Sequence, residues 1–546
     1  MRSPLRAKLP AALALSLAIT SQGCVWLLPD EPIENEDGTA GGGGGVSAGG
    51  GGGNGAGGVG AGPAGGSGGG EPSCQLCSDN DAPCTTPINK VFIEPTVAVN
   101  SQIDGDGVIP LGLAVTENDV YGAVRFRPAV SGGPGIPIDL AGFWVARLNG
   151  DVAENVVKIH ECHVPNGVLY AGPITASPAR LYTLQTSAYN VANQNAIMST
   201  STDQLGNSCA ENALTTVLTT ASAVNGETPF ILSFDPADPI DTHAAVVNAV
   251  IGEQVAILDI DSNPTGATAF LAVGPGAAFG TPDPPGTNVA YSVGLLDAGG
   301  DGIQWHRFVD LEAGGPFPVI DYDGGISVDE SGGVWVIGTA GENEESRAFV
   351  QYRTPTGSLG LTWFGDPGSH GITIDVLDGH VVAGIDFTLD QTAPSGIVTA
   401  AGPRDFMLLH FDAQTFIEQT AAPDWTYPDT EAAHDASADD RIKSIELATR
   451  NGCATVVYGV ACVGTDCVTQ DDVAPLLMAF DATNQSLLWG RDILPNEGSL
   501  MPTVLAVAPD GLWVGAELRG TAFGRESKAY GNGQLAGSTW FLKLPR

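Results

Sequence analysis

The chain has 546 residues, with 22 Lys and Arg against 62 Asp and Glu, and a formal net charge of −40. That length suits one large domain or a few smaller ones. So acidic a balance excludes an electrostatic grip on nucleic acid or on anionic lipid, because both need clustered Lys and Arg.

Arg2, Arg6 and Lys8 precede a short apolar run, Ala11 to Ile19. The run is too short for a bilayer, which takes about 20 residues. It predicts a secretory signal peptide over residues 1–23. The following Ser21-Gln22-Gly23-Cys24 resembles a bacterial lipoprotein signal, in which a small residue precedes a modified cysteine. Ser21 stands where Leu is usual, and Gln22 where a small residue is usual. The resemblance implies that Cys24 is the first mature residue, carries the lipid and makes the membrane a partner. Val25-Trp26 puts no Asp after the cysteine, which implies the outer membrane, on its cell-surface or periplasmic face. The alternative is an ordinary signal peptide cut nearby, with Cys24 left as a thiol.

Residues 24–73 read as a disordered tether. Five acids fall within 30–37, and 20 glycines within 41–70. About 50 such residues reach roughly 40 Å as a random coil. Gly45-Val-Ser-Ala-Gly49 has the form of a nucleophile elbow, but a glycine tract supplies neither the strand before it nor the helix after it.

Residues 74–87 form a cysteine-rich segment with Cys74, Cys77 and Cys84. Five more cysteines follow, Cys162, Cys209, Cys453, Cys462 and Cys467. Eight cysteines in an exported chain read as disulfide partners whose connectivity stays open. A zinc site on Cys74-x-x-Cys77 is the rival, but no second C-x-x-C or spaced His pair follows. His160 and His163 flank Glu161-Cys162, and strand alternation puts the two histidines on opposite faces.

From residue 88 to 546 short β-branched and aromatic runs alternate with Gly, Asp, Asn and Pro turns. That pattern predicts an all-β protein. One unit, I-x-V-x-x-x-G-x-x-W-V, runs from Ile326 to Val336 and recurs one residue shorter from Leu505 to Val514. Weaker copies begin at Leu113, Ile372 and Ile445. A third strand ending in Asp or Asn follows, as at Phe143, Phe230, Phe349, Phe406, Leu477 and Trp540, with weaker examples near Leu181 and Val289. Fourth strands carry Trp305, Trp363 and Trp489. Eight third strands between 143 and 540 give a period of about 57 residues. Four strands at such a period predict a single β-propeller of seven or eight four-stranded blades. Stacking blades in a ring covers the apolar faces that one blade leaves bare, with the tryptophans as core. The last repeat stops at its third strand, so Lys90–Glu94 and Thr96–Val99 are expected to complete it and remove an open edge.

Ser327 to Gly338, followed by Arg347-Ala-Phe-Val-Gln-Tyr352, resembles the SBBP β-propeller repeat of exported bacterial proteins. That resemblance implies a fold and a surface location, not a reaction. Ala479 to Trp489 resembles the tryptophan docking motif of pyrroloquinoline-quinone propellers, and of non-enzymatic lipoprotein propellers in outer-membrane barrel assembly. Here it occurs once, with Asn484-Gln485 where Thr-Gly is typical.

The eight histidines show no zinc-enzyme spacing, and the abundance of acids makes any carboxylate pair uninformative. Asp104-Gly-Asp106-Gly is the best metal candidate, since alternating Asp in a glycine-rich loop gathers oxygen ligands for calcium. Asp321-Tyr-Asp323 is a similar fragment. Calcium is therefore the one cofactor in view, and no catalytic residue is assigned. The expected function is a membrane-anchored binding or scaffold module for a protein or carbohydrate ligand. The alternatives are a propeller enzyme of quinoprotein, lyase or glycosidase type and a periplasm-facing assembly factor.

Overall fold

The first described strand, β1 (Asn89–Phe92), lies far in sequence from its partners, and the strands after it fall into groups of four. The groups are β2 (Val108–Val115), β3 (Val120–Phe126), β4 (Ala141–Leu148) and β5 (Val157–Val164), then β6 (Leu169–Ala176), β7 (Leu181–Tyr189), β8 (Gly226–Phe234) and β9 (Thr242–Val246). Next come β10 (Ala256–Ser262), β11 (Thr268–Gly274), β12 (Ala290–Leu296) and β13 (Ile303–Phe308), and β14 (Gly324–Val328), β15 (Val334–Ala340), β16 (Arg347–Arg353) and β17 (Leu359–Phe364). The next sheet uses β18 (Ser369–Leu377), β19 (His380–Phe387), β22 (Asp405–Asp412) and β23 (Trp425–Tyr427); a hairpin, β20 (Gln391–Ala393) with β21 (Gly396–Val398), and helix α1 (Ala413–Glu418) are inserted in it. β24 (Arg441–Arg450), β25 (Ala454–Val463), β26 (Ala474–Asp481) and β27 (Leu487–Asp492) follow. β28 (Ser499–Ala508), β29 (Gly511–Arg519), the small pair β30 (Thr521–Ala522) and β31 (Arg525–Glu526), and β32 (Ser538–Leu544) end the chain.

This is a computed structural model, and it describes residues 89–92, 108–116, 119–126, 141–148, 157–164, 169–189, 226–237, 242–247, 256–274, 290–300, 302–309, 323–341, 343–394, 396–419, 421–427, 439–450, 454–463, 474–483, 485–492, 499–509, 511–519, 521–522, 525–526 and 538–544. The signal peptide, tether and cysteine-rich segment lie outside them, as do Cys24, Cys74, Cys77, Cys84, Cys209, Cys453, Cys467, Asp104 and Asp106.

Six four-stranded sheets are each a single run of the chain, and a seventh is composite, in the order β1-β32-β29-β28. First strands pack in a closed cycle, β2 on β6, β6 on β10, β10 on β14, β14 on β18, β18 on β24, β24 on β28 and β28 on β2. The architecture is a β-propeller, all-β apart from short helical turns among the described residues. β1 closes it: Asn89 pairs with Lys543, and Phe92 with Trp540. The segment Thr96–Val99 lies outside the described residues.

One repeat assignment is corrected. The strand at Leu181 is not a third strand but the second of its sheet, paired to β8 with Leu181 opposite Phe234. The 36 residues from 190 to 225 that separate β7 from β8 made one sheet look like two units. The eightfold count is therefore one too many, and the period of about 57 built on it is too short.

Apolar faces of adjacent sheets make the core. Trp335 and Trp513 are wholly buried. Trp335 lies 4.9 Å from Tyr352 and 5.0 Å edge-on from Phe416 of α1, between ring centres. Trp305 is buried, and its indole N–H donates to Pro355 O at 2.9 Å in the neighbouring sheet. Trp335, Trp513 and Trp305 are thus core residues, Trp305 also binding sheet to sheet, whereas Trp363 and Trp489 are partly buried against the core.

Six of the seven first strands carry a register break near their middle, at Pro110/Gly112, Ala171/Ile174, Ile257/Asp259, Gly371/Thr373, Ile442/Ser444 and Pro502/Val504. A bulge bends the strand and re-aims the side chains after it. Here it turns the residues that follow toward the axis.

Candidate functional site at the propeller axis

First strands have an inner edge that no further strand covers. Every second N–H on that edge needs a partner, since an unpaired buried N–H costs about as much as a lost hydrogen bond. The chain meets this need with carboxylates from the preceding sheet. Asp259 Oδ2 on β10 accepts from Ile326 N on β14 at 2.9 Å, and Asp261 Oδ2 accepts from Val328 N at 2.8 Å. Asp375 on β18 repeats the arrangement with Leu447 N on β24, at 2.6 Å. On the second strand of the same sheet, Asp386 Oδ1 accepts from Ile442 N at 3.0 Å and Oδ2 lies 3.8 Å from Arg404. Ser327 ties three sheets together: its hydroxyl lies 3.1 Å from Asp261 Oδ2 and 3.0 Å from Asp375 Oδ1.

These side chains border an axial cavity of about 210 Å³, lined from all seven first strands. One wall is acidic, with Asp259, Asp261, Asp375 and Glu446. The strands on the other side, β2, β6 and β28, bring Ala114, Thr175 and Ala506 to the lining and no carboxylate. No Lys, Arg, His or Cys is among the described lining residues.

Carboxylates this close and this enclosed resist ionisation. Burial pushes Asp259 up to about 7, against two backbone N–H bonds and with help from Asp261 and Asp375. Burial and then the charge of Asp261 push Asp375 up to about 7 as well. Asp261 is raised by burial, opposed by bonds from Val328, Ser262, Ser327 and Thr175. Glu446 is held well above the ordinary carboxylate range by burial and by Asp375, Asp261 and Asp259.

None of these four acids was singled out from the sequence. For Asp375 and Glu446 a signal was present, the variable position of the I-x-V unit that is Ser327 in Ile326-Ser-Val and Ala506 in Leu505-Ala-Val, but reading it at Asp375 requires moving the copy begun at Ile372 to Ile374-Asp-Val. Only the ring shows that these positions meet.

Of the sequence-predicted residues, Cys162 lies in β5 opposite Phe143, and Cys462 is buried in β25 opposite Arg441 and Pro475. His160 and His163 lie in β5 opposite Val145 and Gly142. Among the described residues no three His, Cys, Asp or Glu side chains converge as a fully protein-ligated metal requires. In the Ala479–Trp489 motif, Gln485 takes φ +54° in the turn where Gly is typical, and Asp481 holds the turn through Thr483 N and Gln485 N. The motif serves as the β26–β27 connection of one sheet.

No family model and no curated protein matches the chain. Solved structures do. The phage phi92 endosialidase aligns at 10% identity, over 84% of this chain and 69% of that one, with a TM-score of 0.37. The β-propeller domain of the Trilobed protease from Pyrococcus furiosus aligns at 8% identity over 81% and 98%, with a TM-score of 0.38. The Dos1 propeller aligns at 9% over 81% and 94%, with a TM-score of 0.35. The class of the chain, a β-propeller, follows from the cyclic packing of its own four-stranded sheets, and such a fold does not by itself define a function.

Proposed function

We propose that this is an exported, lipid-anchored envelope protein whose propeller is a binding or scaffold module. The observation that carries the second half is the use made of the axial carboxylates. Asp259, Asp261 and Asp375 accept N–H groups of neighbouring sheets, so they fasten the ring. The ligand, a protein or a carbohydrate, then meets the rims and the mouth of the cavity. The anchor half rests on Gly23-Cys24 and on the glycine tract that follows, and the remaining cysteines are proposed to pair as disulfides in the export compartment.

Labelling with a palmitate analogue tests the anchor: Cys24→Ala should abolish the label and release the protein from membranes. Protease treatment of intact cells separates outward display from a periplasm-facing assembly factor. Soluble Cys24→Ala protein should be retained on a polysaccharide array or cross-link to a defined envelope protein without turnover. A propeller enzyme is the second reading, favoured by two carboxyls near pH 7, Asp259 and Asp375. Turnover of a retained sugar that is lost in both Asp375→Asn and Glu446→Gln would replace the binding reading with the enzymatic one.

A further inference from the structure

Away from the axis, a second polar cluster sits on the sheet that contains β19 and β22. His380 opens β19 directly after the tight Asp378-Gly379 turn, both residues of which have positive φ. Across the ladder His380 faces Asp412, and His410 lies two residues before Asp412, on the same face of β22. The diagonal pair meets: His380 Nδ1 is 2.9 Å from His410 Nε2. The other nitrogen of His410, Nδ1, lies 3.6 Å from Asp424 Oδ2. Trp425 stacks flat on the His410 ring, 4.9 Å between centres and 1° from parallel, and its own indole N–H is fixed on Ala482 O at 3.0 Å. His410 is therefore a buried, immobilised imidazole, whereas His380 is half-buried at the edge of the cluster.

We infer that His380 Nδ1 and His410 Nε2 form a two-nitrogen binding site for a divalent first-row transition metal such as Zn²⁺, Ni²⁺ or Cu²⁺, water completing the coordination. Imidazole nitrogen is the ligand these ions share. Two nitrogens on one ion at about 2.0–2.1 Å lie about 2.9 Å apart when cis in a square-planar field and about 3.3 Å apart in a tetrahedral one. The observed separation matches the first and needs an opening of about 0.4 Å for the second. The rings face each other along a hydrogen bond, so binding swings the half-buried His380, while His410 stays clamped by Trp425. The ion takes the place of the shared proton, which leaves to solvent. Asp424 Oδ2 lies 3.6 Å from His410 Nδ1, beyond hydrogen-bond reach, and places a negative charge beside the ring. Asp412, held at Oδ1 by Thr415 N at 2.7 Å, adds a neighbouring negative charge.

The test uses the full chain, stripped with a chelator and titrated with each metal ion alone. In the parent, micromolar Zn²⁺ or Ni²⁺ raises the midpoint of thermal unfolding, and one equivalent of Cu²⁺ gives an electron paramagnetic resonance spectrum with imidazole nitrogen splitting. His380→Ala, at a half-buried position, should fold and lose both responses, whereas His163→Ala should keep them. His410→Ala should also lose them; if it fails to fold, His380→Ala alone decides. A parent that shows neither response at micromolar metal, or a His380→Ala variant that responds like the parent, would overturn the assignment.

Discussion

Asp375 Oδ2 receives the backbone N–H of Leu447 at 2.6 Å, across the gap between two sheets 72 residues apart in sequence. One side chain thus does for an inner edge what a further strand would do for an outer one. Removing it leaves a buried N–H without its acceptor, at a cost of about 1–3 kcal/mol. Asp375→Ala should unfold at a lower temperature than the parent at pH 5, where like-charge repulsion is weakest. Asp375→Asn keeps an oxygen acceptor and drops a charge that burial disfavours. It should match or exceed the parent at pH 8 by calorimetry, and equal losses in the two variants would contradict the capping role.

The axial acids also set a pH dependence, and its direction follows from proton binding. Asp259 and Asp375 are raised from the ordinary value of 3.8 to about 7, and Asp386 to about 6, so the folded protein holds protons that the unfolded chain has released. The stability gained from folded-state protonation is full below pH 4 for these groups and is lost as pH rises to about 7. Unfolding midpoints should therefore fall by several degrees between pH 5 and pH 8. The fall should be smaller in a variant combining Asp259→Asn with Asp375→Asn. A midpoint that rises over that interval in the parent would refute the raised values.

β1 is a closure strand, and its removal tests the ring. A chain lacking residues 1–93 exposes the edge of β32 from Trp540 to Lys543. It should unfold at lower temperature than a chain lacking residues 1–73 and should self-associate through the bare edge, which light scattering detects. Equal stability and a monomeric state in both would show that β1 contributes nothing to closure.

Gly371 on β18 lies tightly against β15, the second strand of the preceding sheet. A Cβ built there would lie 2.5 Å from Gly338 O and 2.6 Å from an Ile337 side-chain carbon, at the bulge that re-aims Thr373. The carbonyl cannot withdraw without shifting β15. Gly371→Ala should cost about 1–3 kcal/mol or more, as overpacking does, and chemical denaturation should show it. At Gly379, where no heavy atom lies within 4 Å, the same substitution meets only the strain of φ +81°.

Strand order was legible because its signals are local. Alternation, turn residues and recurring Trp all act within a few residues, and they placed third strands at Phe143, Phe349, Phe406, Leu477 and Trp540 where β4, β16, β22, β26 and β32 stand. The Leu181 error has the same origin: a period is measured along the chain, and an insertion in one sheet imitates a repeat. The axial acids were illegible for the opposite reason. Asp259, Asp261, Asp375 and Glu446 come from three strands spread over 188 residues, in a chain with 62 acids.

By itself the sequence determined the all-β class, the four-strand unit and the use of an N-terminal strand to complete the last sheet, because hydrophobic period and turn chemistry are properties of neighbouring residues. Only the tertiary structure decided which acids share an enclosed space and which histidines touch. Proximity across a ring arises when sheets pack face to face, and the low polarity created by that packing turns ordinary carboxylates into groups that stay protonated near pH 7.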